Sequence, residues 1–204
     1  MALKQHIPDT VNAVIFELDD VIYPKRDYLL QVYYLFAQFL EYTETHPPAS
    51  ELVDFLKKSY EHHGEEGLFA KSMAVFGISG QYETNFDRLH RQAQLPAALF
   101  LYPEVEELMQ ALREDGTSLL IFTPGEPLMQ LNKLKHIQWN GLDRVLRAYF
   151  EDELKQRGEQ PLAYLLSELG IAAEDTAYIG KNGAPQDYAG HYLPVSTVLG
   201  TKEN

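Results

Sequence analysis

Residues 12–18 read Asn-Ala-Val-Ile-Phe-Glu-Leu, a short apolar run with a β-branched centre, and the run stops abruptly at Asp19 and Asp20. A continuous apolar run of this length, as opposed to an alternating one, marks a strand buried on both faces, and such strands belong to parallel sheets covered by helices. Ligands of open α/β sheets bind outside the carboxyl ends of the strands. The carboxylates at this strand's end, Glu17, Asp19 and Asp20, therefore stand where such a fold keeps its site.

The texture then changes. Tyr28, Leu29, Val32, Tyr33, Leu35, Phe36, Phe39 and Leu40 follow helical spacing with one wide apolar face. His46-Pro47-Pro48 breaks that helix and Ser50 is expected to cap the next. Helical stretches follow at 68–76 and 85–94. From Leu101 the alternation of helix and strand returns: helix 104–114, strand 118–122, helix 126–135, strand 144–150, helix 162–169, strand 176–179 and a fifth strand at 195–199. Strands alternating with helices imply a parallel sheet. The expected architecture is α/β: a Rossmann-like parallel-sheet core over residues 1–24 and 96–204, with an inserted helical cap domain at 25–95.

Charge limits the partners. The chain has 204 residues and a formal net charge of −13, a field that repels nucleic acid and anionic membrane surfaces. With no cysteine there are no disulfides, thiolate metal sites or cysteine nucleophiles. Met1 to Thr10 has no apolar signal-peptide core, and no apolar run reaches the length of a membrane span. The expectation is a soluble, cytoplasmic protein that binds neither nucleic acid nor membrane. His62-His63 reads as a solvated helix end, because neighbours on a helix do not share a face. Tyr28, Tyr33, Tyr34 and Tyr42 read as packing residues, and Trp139 beside Asn140-Gly141 as a turn anchor.

Phe16-Glu17-Leu18-Asp19-Asp20-Val21 resembles the first motif of the haloacid-dehalogenase-like hydrolase superfamily, a hydrophobic strand followed by Asp-x-Asp-x-Thr/Val. Three further segments resemble that family in the same order. They are the strand ending in Thr123-Pro124-Gly125, Gln160-Pro161 where the family has Lys-Pro, and Tyr178-Ile179-Gly180-Lys181 followed by Gln186-Asp187 where it has Gly-Asp and a later Asp. The resemblance implies phosphatase chemistry: a nucleophile at position 17, a general acid/base at Asp19, phosphoryl binding by Thr123, a charge-neutralising Lys at position 160, and Mg²⁺ held by Glu17, Asp19 and Asp187.

The departures fall on those working positions. Glu17 carries its carboxylate about 1.5 Å farther from the backbone than Asp would, and a misplacement of ~1 Å can cost about a hundredfold in rate. Gln160 carries no charge, leaving Lys155 as a candidate replacement. Pro124 has no amide N–H to offer a phosphate. Lys181 stands at a metal-ligand position, where an ammonium repels Mg²⁺ and offers no lone pair. It is expected to act as a site-filling cation, pairing with Glu17 and Asp19 in place of a metal. Set beside this are plainer readings: a solvated acidic loop, an Asp19 kept to close the loop, and a Lys181 pointing to solvent.

The expectation is thus a family member that is weak or inactive as a phosphatase, with no cofactor and a role in binding a small phosphorylated or acidic molecule or a protein partner. The alternative is an active Mg²⁺-dependent phosphohydrolase working through Glu17 and Asp19. The oligomeric state and the ligand are not fixed by the sequence.

Overall fold

The 13–16 run forms strand β1 (Ala13–Phe16), every residue of it buried. In the computed structural model, which describes residues 4–158 and 160–200, the chain then forms helices α1 (Lys25–Glu44), α2 (Ala49–His63), α3 (Leu68–Phe76) and α4 (Glu83–Gln92). It continues through β2 (Leu99–Phe100), α5 (Pro103–Glu114), β3 (Ser118–Thr123), α6 (Pro127–His136), β4 (Ile137–Gln138), β5 (Leu146–Phe150) and α7 (Glu151–Lys155). It closes with α8 (Pro161–Leu169), β6 (Thr176–Gly180), β7 (His191–Pro194) and α9 (Val195–Leu199).

Five strands make one parallel sheet in the order β5-β3-β1-β6-β7, and β2 and β4 pair separately. Phe16 is in register with Ile121 of β3 and Ile179 of β6, so the carboxyl ends of all three central strands emerge at one edge. The α8 face of the sheet buries Ala13, Ile15, Leu120, Phe122 and Tyr178 against Leu162, Leu165 and Leu166. The opposite face is covered by α5, whose Val105, Leu108, Met109 and Leu112 are buried and which lies against β3. Burial on both faces is why β1 and β3 read as continuous apolar runs. This is the α/β, Rossmann-like arrangement expected.

Contacts divide the chain into two units: one runs up to Lys25, includes Leu99–Gln130 and resumes from Ile137, and the other comprises Arg26–Ala98 and Leu131–His136. The helical unit is cored by Tyr33, Phe36, Phe69 and Phe86, with the Phe36 and Phe86 rings 4.9 Å apart and edge to face. Its Tyr28 hydroxyl donates to the His90 carbonyl, and the Lys133 ammonium lies 5.3 Å from the Tyr28 ring centre. Burial pulls the His90 imidazole below its ordinary pKa, with the Lys133 charge acting in the same direction.

Several local expectations need correction. Residues 195–199 are helical: Val195 and Val198, three apart, are the buried pair, and α9 packs on α5. The fifth strand lies just before, at His191–Pro194. Ser50 caps nothing, because the extended backbone of Pro48 ends the preceding segment and the helix begins at Ala49. The tyrosines of α1 divide: Tyr28 and Tyr33 are buried, whereas Tyr34 and Tyr42 are 47% and 93% exposed. His62 and His63 are exposed at the end of α2, and Trp139 accepts a turn bond from the Leu142 amide, as expected of a solvated helix end and a turn anchor. Among the described residues no helix is long and apolar enough to cross a membrane.

Candidate functional site

After β1 the chain curls back on itself. The Ile22 amide donates to the Leu18 carbonyl and the Asp20 amide to the Tyr23 carbonyl. Asp20 takes a left-handed φ of 59°, a conformation that Asp tolerates better than most residues. This tight loop places three carboxylates near the sheet edge, each partly buried. Asp19 Oδ1 accepts from the Tyr23 hydroxyl at 2.9 Å. Asp20 Oδ1 accepts from the Lys25 amide at 2.9 Å.

Glu17 reaches across to β6. Its Oε1 accepts from the Tyr178 hydroxyl at 3.0 Å and its Oε2 from the Lys181 backbone N–H at 2.9 Å. Gly180 lies between them: a Cβ there would fall 2.8 Å from the Tyr178 ring and 3.1 Å from the Glu17 carboxyl carbon. Only glycine lets Glu17 lie against this backbone. Burial, and after it the neighbouring Glu17 charge, push the Tyr178 hydroxyl far above its ordinary pKa. Tyr178 therefore remains a proton donor to Glu17 throughout the neutral range. The end of β6 is braced further by Tyr192, whose hydroxyl donates to the Gly180 carbonyl and accepts from the Gly183 amide.

Lys181 acts twice, though not as the spacing suggested. Its ammonium pairs with Asp20 Oδ2 at 2.8 Å, while Glu17 receives the backbone amide in place of the side chain. The expected pairing of that ammonium with Glu17 and Asp19 is thus replaced by one with Asp20. The reason is local: the loop turns the Asp20 side chain toward β6, and Glu17 is already held by groups nearer the backbone.

Asp187, expected as a metal ligand, serves helix α8. Its Oδ2 accepts from the amides of Leu162 at 2.8 Å and Ala163 at 3.1 Å. Helix α8 starts with Pro161 and has Gln160 at its N-cap without a side-chain bond, so those amides would otherwise lack acceptors. Gln160 is exposed. It lines a cleft of about 490 Å³ with Glu151, Lys155 and Asp187. Lys155 is committed to Glu151 at 2.9 Å and Asp152 at 3.5 Å within its own helix.

Thr123 is buried at the end of β3, its hydroxyl 3.3 Å from the Pro124 carbonyl. Gly125 follows with φ of 98°, a turn that favours glycine. Gln130, only 4% exposed, donates through Nε2 to the same Pro124 carbonyl at 2.5 Å. Its Oε1 is buried and has no hydrogen-bond partner among the described residues.

Mg²⁺ needs several free oxygens in near-octahedral array. Here both oxygens of Glu17 and both of Asp20 already accept hydrogen bonds, Asp187 caps a helix, and the cation Lys181 sits among them. No group of three His, Asp or Glu side chains among the described residues is placed to hold a metal. The donor set does not fit the ion.

The sequence marks Asp20 as part of the acidic cluster, but it does not mark Tyr178, Tyr23 and Gln130 as site residues. The period-two alternation of β6 could have pointed Tyr178 to a defined face, but nothing in the sequence pairs it with residue 17.

The profile of the haloacid dehalogenase-like hydrolases matches residues 14–188. No curated protein matches the chain. Among solved structures, the chain is similar to a haloacid dehalogenase-like family hydrolase from Xanthomonas campestris, with 17% identity, a TM-score of 0.51, and coverage of 92% of this chain and 83% of that one. It is also similar to the HAD-hydrolase YfnB from Bacillus subtilis, solved bound to magnesium, with 16% identity, a TM-score of 0.55, and coverage of 84% and 78%.

Proposed function

The chain belongs to the haloacid dehalogenase-like hydrolase family, and from that premise we propose that it is a member that has lost efficient phosphate-ester hydrolysis and keeps the fold for binding. The role that remains is recognition of a small phosphorylated or acidic molecule, or of a protein partner.

The observation that carries this reading is the engagement of Glu17. A nucleophile must present a free oxygen to phosphorus, in line and at close range. Both Glu17 oxygens accept hydrogen bonds from within the protein, one from a tyrosine that does not ionise near neutrality and one from a strand-end amide. Lys181 supplies beside them the positive charge that a metal would otherwise bring, and it neutralises Asp20. The acidic loop is thus electrostatically satisfied without any added ion. The exposed Gln160 adds no cation, and Pro124 adds no amide donor.

The test is phosphate release from a panel of phosphorylated metabolites and an aryl phosphate, with and without Mg²⁺, against a Glu17→Ala protein purified identically. The expected result is no turnover above that control. Mg²⁺-dependent turnover that vanishes in Glu17→Ala would restore Glu17 as a working carboxylate and overturn the reading.

A further inference from the structure

The two edges of the five-stranded sheet are built differently. β7 is four residues long and closes in Pro194, which has no N–H to offer a further strand. Among the described residues β5 (Leu146-Arg147-Ala148-Tyr149-Phe150) pairs only with β3, and it contains no proline, glycine or lysine. Half of a strand's backbone groups face each neighbour, so the outer half of β5 is a template for another strand. Arg147 and Ala148 are exposed, and Val145 just before them is 43% exposed.

We propose that β5 is a self-association edge that pairs antiparallel with β5 of a second copy of this chain, about a twofold axis at Ala148. The strand's own sequence selects this occupant and this register. Ala148 is the midpoint, so only an axis there pairs all five residues. Facing residues of an antiparallel pair share a face. On one face Arg147 then meets Tyr149 twice, a cation over a ring. On the other, Leu146 meets Phe150 twice, an apolar cross-strand pair. An axis at Arg147 would instead set two guanidinium groups against each other.

Charge along the segment selects the antiparallel direction. Arg144 and Arg147 precede the midpoint, and Glu151, Asp152 and Glu153 follow it. An antiparallel partner brings the basic end of each copy's segment toward the acidic end of the other's, whereas a parallel one would set like against like. In a chain of net charge −13, Arg147 on the strand and Arg144 in the turn before it make an uncommon place for a second acidic copy to dock.

The adjoining groove fits the same occupant. Arg147 and Tyr149 are in register with Leu120 and Phe122 and so lie on the α8 face. On that face a groove of about 430 Å³ runs beside β5, lined by Tyr149, Glu153, Arg157, Tyr164 and Glu168 among others. The second copy's Arg147, set opposite Tyr149, would lie beside a groove whose lining includes the carboxylates Glu153 and Glu168.

The chain's lack of cysteine makes the register directly measurable. Facing residues in an antiparallel pair have Cα atoms ~4.5–5.5 Å apart, within disulfide reach. Ala148→Cys should therefore cross-link to a covalent dimer under mild oxidation. Arg147→Cys alone and Tyr149→Cys alone, displaced from their own copies along the strand, should not, whereas a mixture of those two variants should. Sedimentation velocity of the unmodified protein should show a reversible dimer, and Arg147→Glu, a change at an exposed side chain, should weaken it at least tenfold. A protein monomeric up to several hundred micromolar would overturn the proposal. So would cross-linking equal at positions 147, 148 and 149, or an Arg147→Glu dimer as tight as the native one.

Discussion

At the end of β1, Glu17 has a donor on each carboxylate oxygen and Asp20 has one on each of its own. Beyond the end of β3, in α6, Gln130 is buried with Nε2 hydrogen-bonded to Pro124 and, among the described residues, Oε1 without a partner. A buried polar atom left unsatisfied costs ~1–3 kcal/mol, whereas a satisfied one is close to neutral or mildly stabilising. The acidic loop has therefore been completed as structure by Tyr178, the Lys181 amide and the Lys181 ammonium. The turn after β3 retains an unmet polar demand, of the kind that persists at ligand sites.

The largest expected effect comes from forcing the completed side apart. Gly180→Ala puts a methyl against a buried tyrosine ring and the Glu17 carboxyl, and should destabilise by about 2–3 kcal/mol in denaturant unfolding, the range of overpacking. A neutral result would mean that Glu17 is loosely held.

Tyr178→Phe removes one donor from Glu17 and should cost about 1–2 kcal/mol at pH 7. It also carries a pH signature. The folded Tyr178 pKa lies above its unfolded value of ~10, so its contribution is complete below pH ~10 and falls away as pH rises beyond that. The native protein should lose stability above pH ~10 more steeply than Tyr178→Phe. Equal slopes would detach Tyr178 from Glu17.

Lys181→Ala deletes the ion pair with Asp20 but leaves the backbone amide on Glu17. The Lys181 side chain is 52% exposed, so solvent screens the pair, and the loss should be only about 0.2–1 kcal/mol and shrink further in high salt. A loss well beyond that range would move the weight of the site from the amide to the ammonium.

The smallest effect belongs to the other strand end. Gln130→Met gives up the bond to Pro124 but also removes the orphaned Oε1, and the two should cancel to within about 1 kcal/mol in thermal unfolding. A large destabilisation would show that Oε1 has a partner in solution, such as an ordered water.

The fold was legible because its determinants are periodic. The buried runs at 13–16 and 118–122, the Pro-led starts of α5 and α8, and the Gly170 stop each carry a local signal. The site was only half legible. Motif spacing placed Glu17, Asp19, Thr123 and Lys181 on one sheet edge, which the parallel register of β1, β3 and β6 explains. Pairings within the site depended on rotamers and loop curvature, so Lys181 was matched to the wrong carboxylates. Asp187 was read by position alone, whereas the unmet amides of α8, two elements earlier, decide its partners. At 195–199 β-branched composition suggested a strand, and the buried pair Val195 and Val198 decided for a helix.

If the acidic loop is complete without a metal, thermal unfolding across a Mg²⁺ titration will show it. An ion bound at a hundredfold excess over its Kd stabilises by ~2.7 kcal/mol, and in a chain of this size that is about 2–4 °C in Tm for each kcal/mol. No saturable rise in Tm is expected up to 10 mM Mg²⁺, for the native protein and for Glu17→Ala alike. A saturable rise of several degrees in the native protein, absent from Glu17→Ala, would contradict it.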